Sequence, residues 1–152
     1  MTSAGNAIDF GDMTIAYRDR DSLQSPTRGF MIGGYFSPGT DSNVIEFVVT
    51  ATTGNGTDFG DTTAGRDGWG QNGYGNATRG VIPLASGGGP NYVHDSLNYI
   101  TLSTLGNSIE YGDLTTNRNF ACSFSDPTRG ILVAGGSPQS DDIDYHNIAT
   151  GG

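Results

Sequence analysis

The chain has 152 residues, 25 of them glycine, with 16 acids against seven bases that are all arginine, for a formal net charge of −9. That balance excludes nucleic acid and anionic membranes as partners, since both need a basic face to displace counterions. Cys122 is the only cysteine, which excludes an intrachain disulfide and a cysteine-built metal site and reads as a small buried strand residue.

In chain order, residues 1–6 form a polar entry segment, and 7–15 alternate enough to predict a strand. The run Ala-Tyr-Arg-Asp-Arg-Asp at 16–21 turns the chain, a weak strand follows over 22–25, and Phe30-Met31-Ile32 is an apolar strand ending at Gly33-Gly34. Residues 35–42, with Ser-Pro-Gly, are expected to be a loop by their turn chemistry. Residues 44–50 have the strongest β composition in the chain. A Gly54-Asn55-Gly56 turn leads into the strand around Phe59. Further strands are expected over 81–85, 97–103, 120–124, 131–134 and 143–148. No segment carries a 3.6-residue apolar period, so helix is expected to be nearly absent. Neither a signal peptide nor a membrane span is expected, for want of a basic leader with an apolar core or a run of about 18 apolar residues.

Two short motifs recur three times and organise the rest. The first is Asp9-Phe10-Gly11-Asp12, Asp58-Phe59-Gly60-Asp61 and Glu110-Tyr111-Gly112-Asp113; the second is Thr-Arg-Gly at 27–29, 78–80 and 128–130. The final acid of the first motif advances by 49 and then 52 residues, and Thr-Arg-Gly by 51 and then 50. Repeats of this length with short β segments and Gly-rich turns predict a single all-β domain spanning 1–152, with its units marked at 9–34, 58–88 and 110–136. The strand at 143–148 lacks a following acidic motif and the one at 9–12 lacks a preceding strand, so each end supplies what the other is missing.

The order of apolar strand, double glycine, loop, aromatic-containing strand, turn, second aromatic strand and arginine resembles the kelch repeat. The double glycines are Gly33-Gly34, Gly87-Gly88 and Gly135-Gly136, the aromatics Phe47, Tyr99 and Tyr145, and the kelch-like arginines Arg66 and Arg118, with Tyr17 beside Arg18 in the first copy. The kelch tryptophan is replaced by Phe10, Phe59 and Tyr111. The wording of the repeat also resembles kelch-type arrays of marine bacteriophage and metagenomic virion proteins. The resemblance implies a β-propeller with three four-stranded blades per chain. Because propellers close with about four to eight blades, it implies a head-to-tail homodimer closing as a six-bladed ring, with one blade shared between 143–152 and residues 1–15 of the partner. A β-trefoil, monomeric and commonly sugar-binding, fits the same repeat spacing.

The expected function is a non-enzymatic structural or adhesive part of a virion or extracellular surface, with a lectin-like carbohydrate-binding module as the alternative. Asp12, Asp61 and Asp113 are expected to cap turns, and Arg28, Arg79 and Arg129 to clamp neighbouring blades. The copies differ most in two loops, where Tyr17, Arg18, Arg66, Trp69, Tyr92, His94 and Arg118 are the candidate ligand-binding residues for a glycan or another virion protein. No cofactor or metal is expected. The acids at 19, 21, 141, 142 and 144 lack a calcium-loop pattern, His94 and His146 lack metal-pair spacing, and no Ser-His-Asp order stands out. Asp-Phe-Gly spells a kinase metal motif, yet a chain without lysine cannot complete a kinase site.

Overall fold

The computed structural model describes residues 5–36, 38–66, 72–83, 94–136 and 139–150. All regular structure among them is β, as twelve strands in three antiparallel sheets. Sheet one joins β1 (Asp21–Gln24), β2 (Arg28–Ile32), β4 (Thr40–Val49) and β5 (Thr57–Arg66), with β3 (Tyr35–Phe36) paired to the start of β4. Sheet two is the meander β6 (Tyr74–Gly75), β7 (Arg79–Pro83), β8 (His94–Thr101) and β9 (Ile109–Arg118). Sheet three has β10 (Cys122–Ser125), β11 (Arg129–Val133) and β12 (Ile143–Asn147). Each sheet starts just before a Thr-Arg-Gly, and the first two end on the strand holding the next acidic motif.

The sequence repeat sets the register. Phe30 pairs with Phe47, Val81 with Tyr99 and Ile131 with Tyr145, so each copy places the same residue beside the same partner. The first hairpin of each sheet is closed by a short polar side chain two residues before the Thr-Arg arginine's threonine: Ser25, Asn76 and Asp126 accept from the N–H of Arg28, Arg79 and Arg129 at 3.0, 2.9 and 2.7 Å. Such local bonds favour a turn over an extended chain. The Asp126 carboxyl is held below its usual range by the backbone N–H groups of Arg129 and Thr128 and by the Thr128 hydroxyl.

Two core layers separate the sheets. Leu23, Phe30, Ile32, Ile45 and Phe59 of sheet one pack against Ile82, Ile100 and Leu102 of sheet two. Tyr74, Val81, Leu97 and Leu114 of sheet two pack against Ala121, Leu132 and Ile148 on the sheet-three side. Alternation along β7 therefore sends Val81 to one layer and Ile82 to the other, and this strand is apolar because both its faces are covered. Burying a side chain of this size stabilises by roughly 1.5–3 kcal/mol.

Three expectations need correction. Residues 7–15 form no strand, because no sheet neighbour pairs with them and their backbone is bonded to turns and side chains instead. Residues 35–42 are not a plain loop: β3 pairs with the start of β4 around a turn at Gly39, whose φ of 120° suits glycine. Cys122 is exposed, since β10 turns it away from the inner layer that holds Ala121.

Candidate functional site

The arrangement that the first two acidic motifs share is the joint between the motif and the turn of the following hairpin. Gly54 N–H donates to Phe10 O at 2.8 Å and Gly56 N–H to Asp12 O at 2.7 Å, while Asp12 N–H donates to Asn55 Oδ1 at 2.9 Å. One repeat later, Gly106 donates to Phe59 O at 2.8 Å, Ser108 to Asp61 O at 2.8 Å, and Asp61 N–H to Asn107 Oδ1 at 2.9 Å. Gly11 and Gly60 have φ of 147° and 148°, and a Cβ on either would lie 2.4 Å from the carbonyl oxygen of Gly54 or Gly106. Glycine is needed in the motif for this approach of two backbones.

The joint continues two residues on, through a threonine. Thr14 N–H donates to Glu46 Oε1 at 2.9 Å and its hydroxyl meets the same oxygen; the Thr63 hydroxyl donates to Asn98 Oδ1 at 2.9 Å; the Thr115 hydroxyl donates to Asp144 Oδ1 at 2.7 Å. Glu46, Asn98 and Asp144 hold the same register position in the three sheets. The two carboxylates each have an arginine. Arg20 pairs with Glu46 and donates to Met31 O at 3.1 Å; Arg118 pairs with Asp144 at 2.8 Å and donates to Ala134 O at 3.2 Å. Burial raises the Glu46 carboxyl's proton affinity, but hydrogen bonds from Thr14 and Arg20 outweigh it and hold the group below its ordinary range. Asn98 is neutral and needs no cation. It accepts from Ser108 instead, at 2.8 Å.

The Thr-Arg-Gly arginines form the second half of the joint. Arg28 stacks 4.5 Å over Phe47 and donates to Leu102 O of the next sheet at 3.0 Å; Arg79 stacks 4.6 Å over Tyr99 and donates to Ile148 O at 3.3 Å. Arg129 stacks 5.4 Å over Tyr145. The planar guanidinium suits this double task, one face on a ring and its edge on carbonyls.

The candidate ligand residues are dispersed. Arg66 and Arg118 are fully buried, Arg66 paired with the equally buried Asp21. They work inside the sheets rather than on a solvent-facing loop, which their spacing after the acidic motif did not reveal. Tyr17 is half-buried, edge-on to Phe36 at 6.0 Å; Arg18 is exposed and lies 4.4 Å over Tyr35. The His94 backbone pairs with Arg118. Trp69, Tyr92 and the Gly87-Gly88 doublet lie outside the described residues. The carboxylates of Asp12 and Asp113 are exposed, and the turn capping expected of this motif is done from the opposite side by Asn55 and Asn107.

A groove of about 640 Å³ runs where β1, β6 and β10 come together. Gly73 N–H donates to Ser22 O at 2.9 Å and the Ser125 hydroxyl to Gly75 O at 2.7 Å, linking the three first strands. Its lining includes Gln24, Asn72, Ser123 and the exposed Phe124. Of the two histidines, His146 lies 3.4 Å from the Tyr74 hydroxyl and edge-on to Tyr111. Burial lowers the imidazole's affinity for a proton and pushes the Tyr74 phenol up, so both are neutral packing partners near pH 7. Among the described residues no group of His, Cys, Asp and Glu could hold a metal ion, and no helix is long and apolar enough to cross a membrane. Comparison with family models and with curated proteins finds no match to this chain.

Proposed function

We propose that this chain is a non-enzymatic structural or adhesive repeat protein, a kelch-like propeller segment that joins a second copy head to tail in a six-bladed ring, as a virion or cell-exterior component. The observation that carries this reading is the joint itself. The chemistry-bearing residues that recur, the first two acidic motifs, the threonines Thr14, Thr63 and Thr115 and the arginines Arg28 and Arg79, bond to a neighbouring sheet or hairpin rather than converge on a reacting centre. The convergence of β1, β6 and β10 supports a radial arrangement of the sheets over a flat stack. An acidic, arginine-only surface suits association through geometry more than through charge.

A second reading, carbohydrate binding, is favoured by the groove, which sets the exposed Phe124 ring beside Gln24, Asn72 and Ser123. An aromatic face flanked by amide and hydroxyl groups is what a sugar ring needs. A glycan array probed with the wild-type chain and with Phe124→Ala separates the two. Signals that Phe124→Ala abolishes would install the lectin reading; an array blank for both proteins supports the structural one.

A further inference from the structure

β12 is the outer strand of sheet three, and among the described residues nothing pairs with its free edge. Sheets one and two carry a fourth strand at that position, β5 and β9, whose sequences hold the second and third acidic motifs. The first acidic motif, in residues 8–17, belongs to no sheet. Ile8 is 90% exposed there, and on β12 Ile143 and Tyr145 are 66% and 71% exposed. Arg129 stacks on Tyr145, and unlike Arg28 and Arg79 its guanidinium bonds to no carbonyl among the described residues.

We infer that residues 8–17 of a second copy of this chain add to the free edge of β12 as the fourth strand of sheet three. The inference rests on the head-to-tail reading above and gives it a register. Val44 pairs with Asp61 and Ser96 with Asp113, which places Asp142 opposite the partner copy's residue 12; Phe47 pairs with Thr57 and Tyr99 with Ile109, which places Tyr145 opposite the partner copy's residue 8. The joint between sheets then continues across the two molecules. Arg28 and Arg79 reach the carbonyls of Leu102 and Ile148, so Arg129 reaches the equivalent carbonyl, that of residue 50, in the second copy. Strand addition of this kind satisfies edge N–H and C=O groups and covers apolar side chains together.

The register also has an electrostatic consequence. It sets Asp142 against a second aspartate, and like charges directly opposite each other oppose pairing. Asp144 is neutralised within its own chain by Arg118, whereas Asp142 is half-exposed and 3.7 Å from the same guanidinium. Salt therefore strengthens this association by screening, the reverse of what an attractive ion-pair interface shows.

The test uses two single-cysteine chains in a Cys122→Ser background, Ile8→Cys and Tyr145→Cys, refolded together and oxidised. The inference predicts a disulfide-linked pair in the mixture and none in either protein alone, with a yield that rises with salt. No link in the mixture, or equal links in the separate proteins, overturns it. A chain carrying both cysteines distinguishes the ring from the strand addition. A single two-chain species supports both, a ladder of longer species keeps the strand addition and removes the ring, and a two-chain mass without any link removes the strand addition. Arg129→Ala, which removes no side-chain hydrogen bond among the described residues, is expected to weaken association at least tenfold with an unchanged melting temperature for the single chain. Unchanged association would contradict the register.

Discussion

Arg66 and Asp21 meet out of reach of water, with side-chain exposures of 0% and 1%. A pair this deep is more informative about specificity than about net stability, because the desolvation of both ions offsets most of their attraction. Removing one partner is a different matter, since the other charge is then stranded. Asp21→Ala is expected to lower the unfolding free energy by about 3–5 kcal/mol in urea titration. Arg18→Ala, which breaks the exposed pair with Asp19, should cost about 0–1 kcal/mol. Equal losses for the two would contradict the buried role. None of this was readable from residue type, because an arginine five residues after an acidic motif looks the same whether it faces a ligand or the interior. The repeat gave only the position. The side chain's direction came from Gly33, which leaves room for the Arg66 stem against its backbone, as Gly34 does for the stem of Arg20.

At the scale of elements, the joint depends on glycine where a Gly-Asn hairpin turn touches the motif before it. A methyl on Gly60 would meet the Gly106 carbonyl, whereas one on Gly54 meets nothing within 4 Å. Gly60→Ala should therefore destabilise by roughly 1–3 kcal/mol through overpacking, with Gly54→Ala close to neutral. Denaturation midpoints of the two variants check this, and matching midpoints would contradict it. β4, β8 and β12 were legible in the sequence because runs such as Val-Ile-Glu-Phe-Val-Val have one physical use, a strand covered on at least one face. The bulge between Ile45 and Glu46, which buries both neighbours, breaks strict alternation and was not legible. Residues 7–15 failed for a related reason: local pattern predicts the capacity to form a strand, and pairing needs a neighbour. The caps from Asn55 and Asn107 were also hidden, because their partners lie 43 and 46 residues away.

For the whole molecule, three sheets separated by two apolar layers leave the outer faces of sheets one and three as the sites where the repeat pattern can continue. Sheet two shows what a completed unit looks like, with β7 buried on both sides and Arg79 bonded across to the next hairpin. Sheet three carries the same residue types in the same register, with Leu132 buried and Tyr145 open. The repetition of one joint within the chain is the reason to expect it between chains, and a two-fold rotation closes such head-to-tail contacts after two copies. Absolute molar mass in solution, measured by light scattering on a sizing column at micromolar concentration, tests this most directly. Twice the 15.8 kDa chain mass is the predicted result. A strict single-chain mass would contradict the head-to-tail ring and leave the groove beside Phe124 as the feature to pursue.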